Sequence, residues 1–378
     1  MTQDPVRLIT TPDEFSRLIE QWGDEPVVGI DTEAASFHKY RDRVYLLQLS
    51  TPTDTAVVDP LGTQGITPLR DWLAGGRTEF IFHDADYDVR LMHREAGLRV
   101  QRLFDTRVAA QFLNLPNIGL AALLAQRFGV ATDKRFQRAD WSARPLSPEM
   151  VVYAATDTRY LPQLRSQLLD ELTRAGRATW AAEECEILAR VEWPAPDPPE
   201  EAFLRMKGAR DLDRRGLAVL RELFVWRDRT AARLDRALFR VLGNEPLLKL
   251  AAAQPRSIEE LGKIPGVGAE NAARRGPEIL EAVARGLAVP ERELPAFERR
   301  PRHRPDPIFD TRVERLKAWR VGLAERYQLP PGLLAPNGML EAVARALPTT
   351  VDSLKAVPGV RRWQADEFGT EMLRVLAA

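Results

Sequence analysis

Short apolar runs bounded by turn residues alternate with amphipathic stretches through the first half of the chain. Val27–Ile30, Val44–Ser50, Thr55–Val58 and Glu79–Phe82 are brief and rich in β-branched, aliphatic and aromatic residues, which predicts a strand at each. The first three follow one another too closely for crossover helices, so antiparallel connections are expected among them. The fourth comes only after a helical stretch around Leu69–Leu73. A mixed sheet with helices on both faces is the architecture this order predicts. One helix is expected from Asp84, acidic in its first turn and ended by Gly97. Another starts at Ser147-Pro148-Glu149, with serine as cap and proline at the first helical position, and is expected to run to Gly176 with a kink at Pro162.

The pattern changes at Trp193-Pro-Ala-Pro-Asp-Pro-Pro-Glu200, which is too proline-rich to continue a helix. A second charged, proline-bearing stretch runs from Val289 to Pro307, and beyond each of these linkers the pattern is helical. The two helical segments resemble each other. Trp226-Arg227 matches Trp319-Arg320, Asn244 matches Asn337, Leu261 matches Leu354, and Pro265-Gly-Val matches Pro358-Gly-Val, always 93 positions apart. A constant, gap-free offset marks a duplicated small helical domain. The expected organisation is an α/β domain over 1–193, a linker over 194–207, an all-α domain over 208–290, a linker over 291–307 and a second all-α domain over 308–378.

Composition narrows the chemistry. The 378 residues are 44% hydrophobic and 29% charged, as in a soluble globular protein of two or three domains. No charged-apolar-small pattern opens the chain and no apolar run nears ~18 residues, so neither secretion signal nor membrane span is expected, and the expected location is cytoplasmic. Cys185 is the only cysteine, which excludes an intramolecular disulfide and a cysteine-rich zinc site. His38, His83, His93 and His303 show no metal-ligand spacing. The net charge of zero hides an asymmetry of about −8 over residues 1–200 and about +8 over 201–378. An acidic centre beside a basic module suits a polyanionic substrate.

Three acidic motifs supply that centre: Asp31-Thr-Glu33, Asp88 at the end of His83-Asp-Ala-Asp-Tyr-Asp88, and Tyr153-Ala-Ala-Thr-Asp157. Residues two apart on a strand share a face, so Asp31 and Glu33 project together from the end of Val27–Ile30. Residues four apart on a helix are neighbours, which sets the Tyr153 phenol beside the Asp157 carboxylate. Four unpaired carboxylates have no place in an apolar core, whereas a pair of divalent cations would accept them. Such a pair serves phosphodiester hydrolysis, and a phenol with an ordinary pKa of about 10 is better suited to orient water than to act as a base. Asp84 and Asp86 are expected to serve the helix start, and Asp105 is read as a cap. In the first helical module, Gly266 and Gly268 lie in a turn that lets backbone amides approach a phosphate, with Arg274 and Arg275 close behind. Arg227, Arg229, Arg233, Arg236 and Arg240 are expected along one helix face, and Trp226 and Trp319 as core anchors.

Taken together, the three motifs resemble those of the DEDD exonuclease superfamily, and Tyr153-x-x-x-Asp157 its tyrosine branch. Along essentially the whole chain the layout is similar to that of the ribonuclease D family, an exonuclease domain followed by two modules of the helicase-and-RNase-D C-terminal (HRDC) type. Leu103-Phe-Asp-Thr106, Asp140-Trp-Ser-Ala-Arg-Pro-Leu146 and Tyr160-Leu-Pro162 support the likeness. The resemblance implies a ribonuclease-H-like fold and metal-dependent removal of nucleotides from RNA 3′ ends as 5′-monophosphates, with tRNA and other structured precursors as substrates. It implies two Mg²⁺ or Mn²⁺ ions held by Asp31, Glu33, Asp88 and Asp157, water positioned by Tyr153, a monomer, and no organic cofactor. After Glu33 the chain departs from the family's Phe-x-Arg and reads Ala34-Ala-Ser-Phe-His-Lys-Tyr40, leaving Phe37, His38, Lys39 and Arg41 as candidate substrate contacts. A DNA-directed exonuclease and an inactive nucleic-acid-binding scaffold stand as alternatives.

Overall fold

In the computed structural model, which describes residues 6–132, 134–195, 197–298 and 306–377, the apolar runs pair into a six-stranded sheet. Its strands are β1 (Arg7–Ile9), β2 (Val27–Glu33), β3 (Leu46–Ser50), β4 (Thr55–Val58), β5 (Glu79–Phe82) and β6 (Leu103–Asp105), in the order β1-β4-β3-β2-β5-β6. β2, β3 and β4 are antiparallel neighbours, while β5 and β6 continue the sheet parallel to β2 and β1 lies parallel to β4. The expected mixed sheet is therefore present, with two more strands than the pattern announced. β1 and β6 are only three residues long, too short to show an alternation. His303 and the centre of the 291–307 linker lie outside the described residues.

Helices cover both faces. On one, Phe15 and Leu18 of α1 (Pro12–Trp22), Leu73 of α2 (Arg70–Ala74) and Met92 of α3 (Asp86–Ala96) pack against Val28, Ile30, Phe80 and Phe82. On the other lie α4 (Thr106–Phe112), α5 (Leu120–Phe128), α6 (Pro148–Arg159), α7 (Leu161–Arg174) and α8 (Ala178–Leu188), and there Ile81 and Phe104 join Leu123, Leu161 and Leu164. Two boundaries differ from expectation. β2 runs through Glu33, so Asp31 and Glu33 are held in the ladder rather than beyond its end. The long helix does not kink at Pro162 but breaks at Tyr160, and Pro162 sits in the first turn of α7, where its missing N–H costs no hydrogen bond.

After α9 (Pro199–Ala202), the first helical module comprises α10 (Arg214–Leu234), α11 (Leu238–Val241), α12 (Asn244–Ala253), α13 (Ile258–Gly262) and α14 (Gly268–Ala288). The second repeats it as α15 (Pro307–Tyr327), α16 (Pro331–Leu334), α17 (Asn337–Ala346), α18 (Val351–Lys355) and α19 (Arg362–Ala377). The duplication extends to polar contacts. Trp226 Nε1 donates to Glu278 and Trp319 Nε1 to Glu371, while Arg227 and Arg320 each bond a backbone carbonyl and the following asparagine, Asn244 or Asn337. Arg227 is thereby buried, and Arg236 and Arg240 lie beyond the end of α10, so of the five arginines expected along one helix face only Arg229 and Arg233 remain.

By its contacts the chain forms two units. One joins the sheet and its helices with the second helical module (Met1–Ala34, Val44–Trp193, His303–Ala378), and the other joins the first module with Ala35–Arg43. Within the first unit, α19 docks on α8. The Trp180 and Trp363 rings stack with centroids 4.6 Å apart, and Phe112 meets Trp363 edge-on at 5.4 Å. Glu183 accepts from the Arg362 and Trp363 amides at 2.8 and 2.9 Å, and Glu184 and Glu186 pair with Arg361 and Arg362. No helix among the described residues is long and apolar enough to cross a membrane.

Candidate active site

The acidic cluster is built at the junction of β2 with α3 and α6. Strand alternation turns Asp31 and Glu33 toward α6 and Thr32 toward α3. On α6, capped by the Ser147 hydroxyl on the Met150 amide, Asp157 is brought to the same place. Ligand oxygens of Asp31, Glu33 and Asp157 all lie within 4.8 Å of one another. Asp88 arrives from the other side in the first turn of α3, buried at 7% exposure, and accepts a short hydrogen bond from the Thr32 hydroxyl. Thr32, unremarked in the sequence, thus ties the fourth carboxylate to the strand that bears the first two.

Without a cation these groups raise one another. Burial, then the Asp157 charge, pushes the Asp31 carboxyl well above the usual range. Burial followed by Asp31, Asp157 and Asp88 does the same to Glu33, and burial followed by Asp31 to Asp88. Burial lifts Asp157 to about 7. Such a set is costly when ionised and unpaired, and its all-oxygen donors suit a hard divalent cation. The residues present fit divalent metal binding, with Asp31, Glu33 and Asp157 as the closest donors.

Tyr153 lies one turn before Asp157 on α6, half-buried. Its ring stacks on Trp141 with centroids 6.1 Å apart and planes at 27°, and Phe136 lies 5.6 Å away. A cavity of about 450 Å³ opens beside it, lined among others by Tyr153, Asp157, Arg135, Phe136, Arg159 and Tyr160. That volume lies within the ~300–1,000 Å³ typical of small-molecule sites, and aromatic faces with guanidinium groups match a base and its phosphate. The sequence reading gave no role to Arg135, Phe136, Trp141 or Arg159. The phrase Asp140–Leu146 contains Trp141 but none of the other three.

The other candidates have partners of their own. Asp105 caps α4 through the Arg107 and Val108 amides and also accepts from the Asp84 and Ala85 amides, so its role is structural. Asp86 pairs with Arg90 and Asp84 with Arg107, in keeping with the helix start. Phe37, His38, Lys39 and Arg41 belong to the segment that packs with the first helical module. There Phe37 is exposed and meets Phe239 edge-on at 6.3 Å, the Arg240 guanidinium contacts the Phe37 carbonyl and the His38 ring, and Lys39 pairs with Asp235 at 2.8 Å. Arg41 sits 5.8 Å from the Tyr40 ring. Gly266 and Gly268 take φ of 89° and 72°, turning the chain into α14 as only glycine does readily. Arg274 is exposed and pairs with Glu270 at 3.4 Å. Arg275 corrects the expectation: it is buried and donates to the Val241 carbonyl, so it braces the module instead of offering a phosphate contact.

Comparison with known proteins places the chain among exonucleases. A 3′-5′ exonuclease family model matches residues 6–173, and an HRDC domain model matches twice, over 216–283 and 310–376. Ribonuclease D of Gluconacetobacter diazotrophicus is 34% identical over 374 residues, 98% of this chain and 92% of that protein. Ribonuclease D of Granulibacter bethesdensis is 31% identical over 371 residues, 97% of this chain and 91% of its own. The crystal structure of Escherichia coli RNase D, described as an exoribonuclease involved in structured RNA processing, superposes with a TM-score of 0.72 at 26% identity, covering 99% of both chains. A Bifidobacterium adolescentis protein shares the fold with a TM-score of 0.83 at 22% identity, covering 98% of this chain and 97% of its own. The chain belongs to the ribonuclease D family.

Proposed function

We propose that Asp31, Glu33, Asp88 and Asp157 hold two divalent ions, Mg²⁺ or Mn²⁺, at which the terminal phosphodiester of an RNA strand is hydrolysed. The activity is that of a 3′-5′ exoribonuclease, releasing 5′-monophosphates. The observation that carries this assignment is the convergence of carboxylates from β2 and α6 to within 4.8 Å. When bound, the ions supply activation of water and stabilisation of the charge that develops on the phosphate and departing oxygen.

The chain's own residues do the rest. The ladder holds Asp31 and Glu33 rigidly, and the Thr32 hydroxyl orients Asp88. Tyr153 orients the attacking water with its phenol, one helical turn from Asp157. Arg135 and Arg159, lining the cavity with Phe136 and Tyr160, neutralise the backbone while the rings receive the terminal base. The substrates are precursors of tRNA and other structured RNAs, handled by a cytoplasmic monomer. Support for structured RNA as the substrate comes from the activity named for the E. coli relative and from the basic second half of the chain.

The test is hydrolysis of end-labelled RNA in Mn²⁺ by Asp31→Asn and Asp157→Asn, beside RNA binding in the absence of metal. Both variants should lose turnover by at least about 10³-fold, an order expected for groups that stabilise a transition state, while binding persists. Wild-type turnover in either variant would overturn the assignment. Equal rates on single-stranded DNA would transfer it to the DNA-directed reading.

A further inference from the structure

Arg144 ties the turn that leads into α6 to the sheet. Arg144 donates from Nε and Nη2 to the two Asp59 oxygens at 2.6 and 2.7 Å, and from Nη2 to the Tyr45 carbonyl at 2.9 Å. Its Nη1 donates to the carbonyls of Trp141 and Ala143 at 2.8 and 2.7 Å. Both far partners lie at the same end of the strands as the acidic pair. Tyr45 donates its amide to the Glu33 carbonyl at 2.9 Å, and Asp59 directly follows β4, whose Val58 pairs with Leu47 beside Thr32. Burial alone would raise the Asp59 carboxyl, but the Arg144 guanidinium and the Leu61 and Gly62 amides outweigh it and hold it below the usual range.

The near partner is Trp141, buried at 1% exposure. Its indole N–H has no hydrogen-bond partner among the described residues, so the ring is not oriented by a bond of its own. Its backbone carbonyl is gripped by Arg144, and its buried ring stacks on Tyr153. A guanidinium is suited to this task because its donors form a rigid fork, whereas an ammonium offers them from a single point.

We propose that Arg144 is a positioning residue for catalysis: through Trp141 it registers the Tyr153 ring against the strand end of Glu33. The proposal rests on the reading of Tyr153 as the water-orienting group. A staple serving stability alone would lower the melting temperature of any variant by the same amount and leave the phenol's contribution untouched. A positioning role makes the effects of Arg144 and Tyr153 on turnover overlap.

The experiment is a double-mutant cycle on RNA hydrolysis with Arg144→Lys and Tyr153→Phe, with melting temperature and Mn²⁺ dependence measured on each protein. Arg144→Lys should lower kcat by about 10- to 100-fold, the scale on which small misplacement of a reacting group acts, with KM little changed. In the Tyr153→Phe background the same substitution should cost little more, because the group it positions is already gone. Asp59→Asn, which removes the clamp's anchor without truncating it, should repeat that pattern and serves if Arg144→Lys folds poorly. Unchanged kcat in both clamp variants, or equal fold-losses with and without the phenol, overturns the proposal alone. An undiminished rate for Tyr153→Phe overturns the water-orienting reading and this inference with it.

Discussion

At the scale of single residues, the carboxylates write a pH signature into the metal-free protein. In an unfolded chain such groups titrate near pH 4, whereas burial carries Asp157 to about 7 and raises Asp31, Glu33 and Asp88. Folding therefore takes up protons in this interval. Their contribution to stability is fully present below the unfolded value and is lost as pH rises toward 7. The melting temperature of EDTA-treated protein should fall between pH 5 and 8, and Mn²⁺ should restore more of it at pH 8 than at pH 5. A restoration of the same size at both pH values would place the ions elsewhere. No period joins Asp88 on α3 to the cluster, but the meeting of Asp31, Glu33 and Asp157 was legible because strand and helix periods dictate which side chains share a face. Thr32 and Arg144 were not, since their bonds reach Asp88 and Asp59, 56 and 85 positions away, and no local period encodes that.

Among elements, the site depends on how closely α6 and α7 approach β2. Gly29 makes the approach possible: a Cβ there would lie 2.9 Å from the Thr158 carbonyl oxygen and 3.0 Å from the Leu161 Cβ. Thr158 immediately follows Asp157, so relief of that clash moves a site carboxylate. Gly29→Ala should cost about 1–3 kcal/mol, as overpacking does, and reduce turnover further than the stability loss explains. Activity at the wild-type level, measured well below the melting temperature, would show that the helices yield without disturbing the cluster. The antiparallel trio β2-β3-β4 was readable from its tight connections. The break at Tyr160 was not, because Pro162 is compatible with either a kink or a new first turn, and packing of Leu161 and Leu164 on the sheet decides for the latter.

For the whole molecule, duplication was visible as a constant offset, but the contacts of the second copy with α8 were not. The second copy has Arg361 where the first has Gly268, and that arginine joins Arg362 and the α19 amides in meeting the glutamates of α8. That the second copy docks on α8 depends on three-dimensional partners that no repeat pattern reveals. Glu183→Ala should weaken the docking by about 1.5–3 kcal/mol, the usual worth of a hydrogen bond to a charged group. Faster hydrogen exchange in the first turn of α19, with exchange in α14 unchanged, is the expected result; undiminished protection in α19 would assign the docking to the Trp180–Trp363 stack. A helix start is the place where a module of this kind would ordinarily welcome an anion. In the C-terminal twin that socket is filled from within, so an incoming polynucleotide would have to evict an intramolecular glutamate before it could touch those amides.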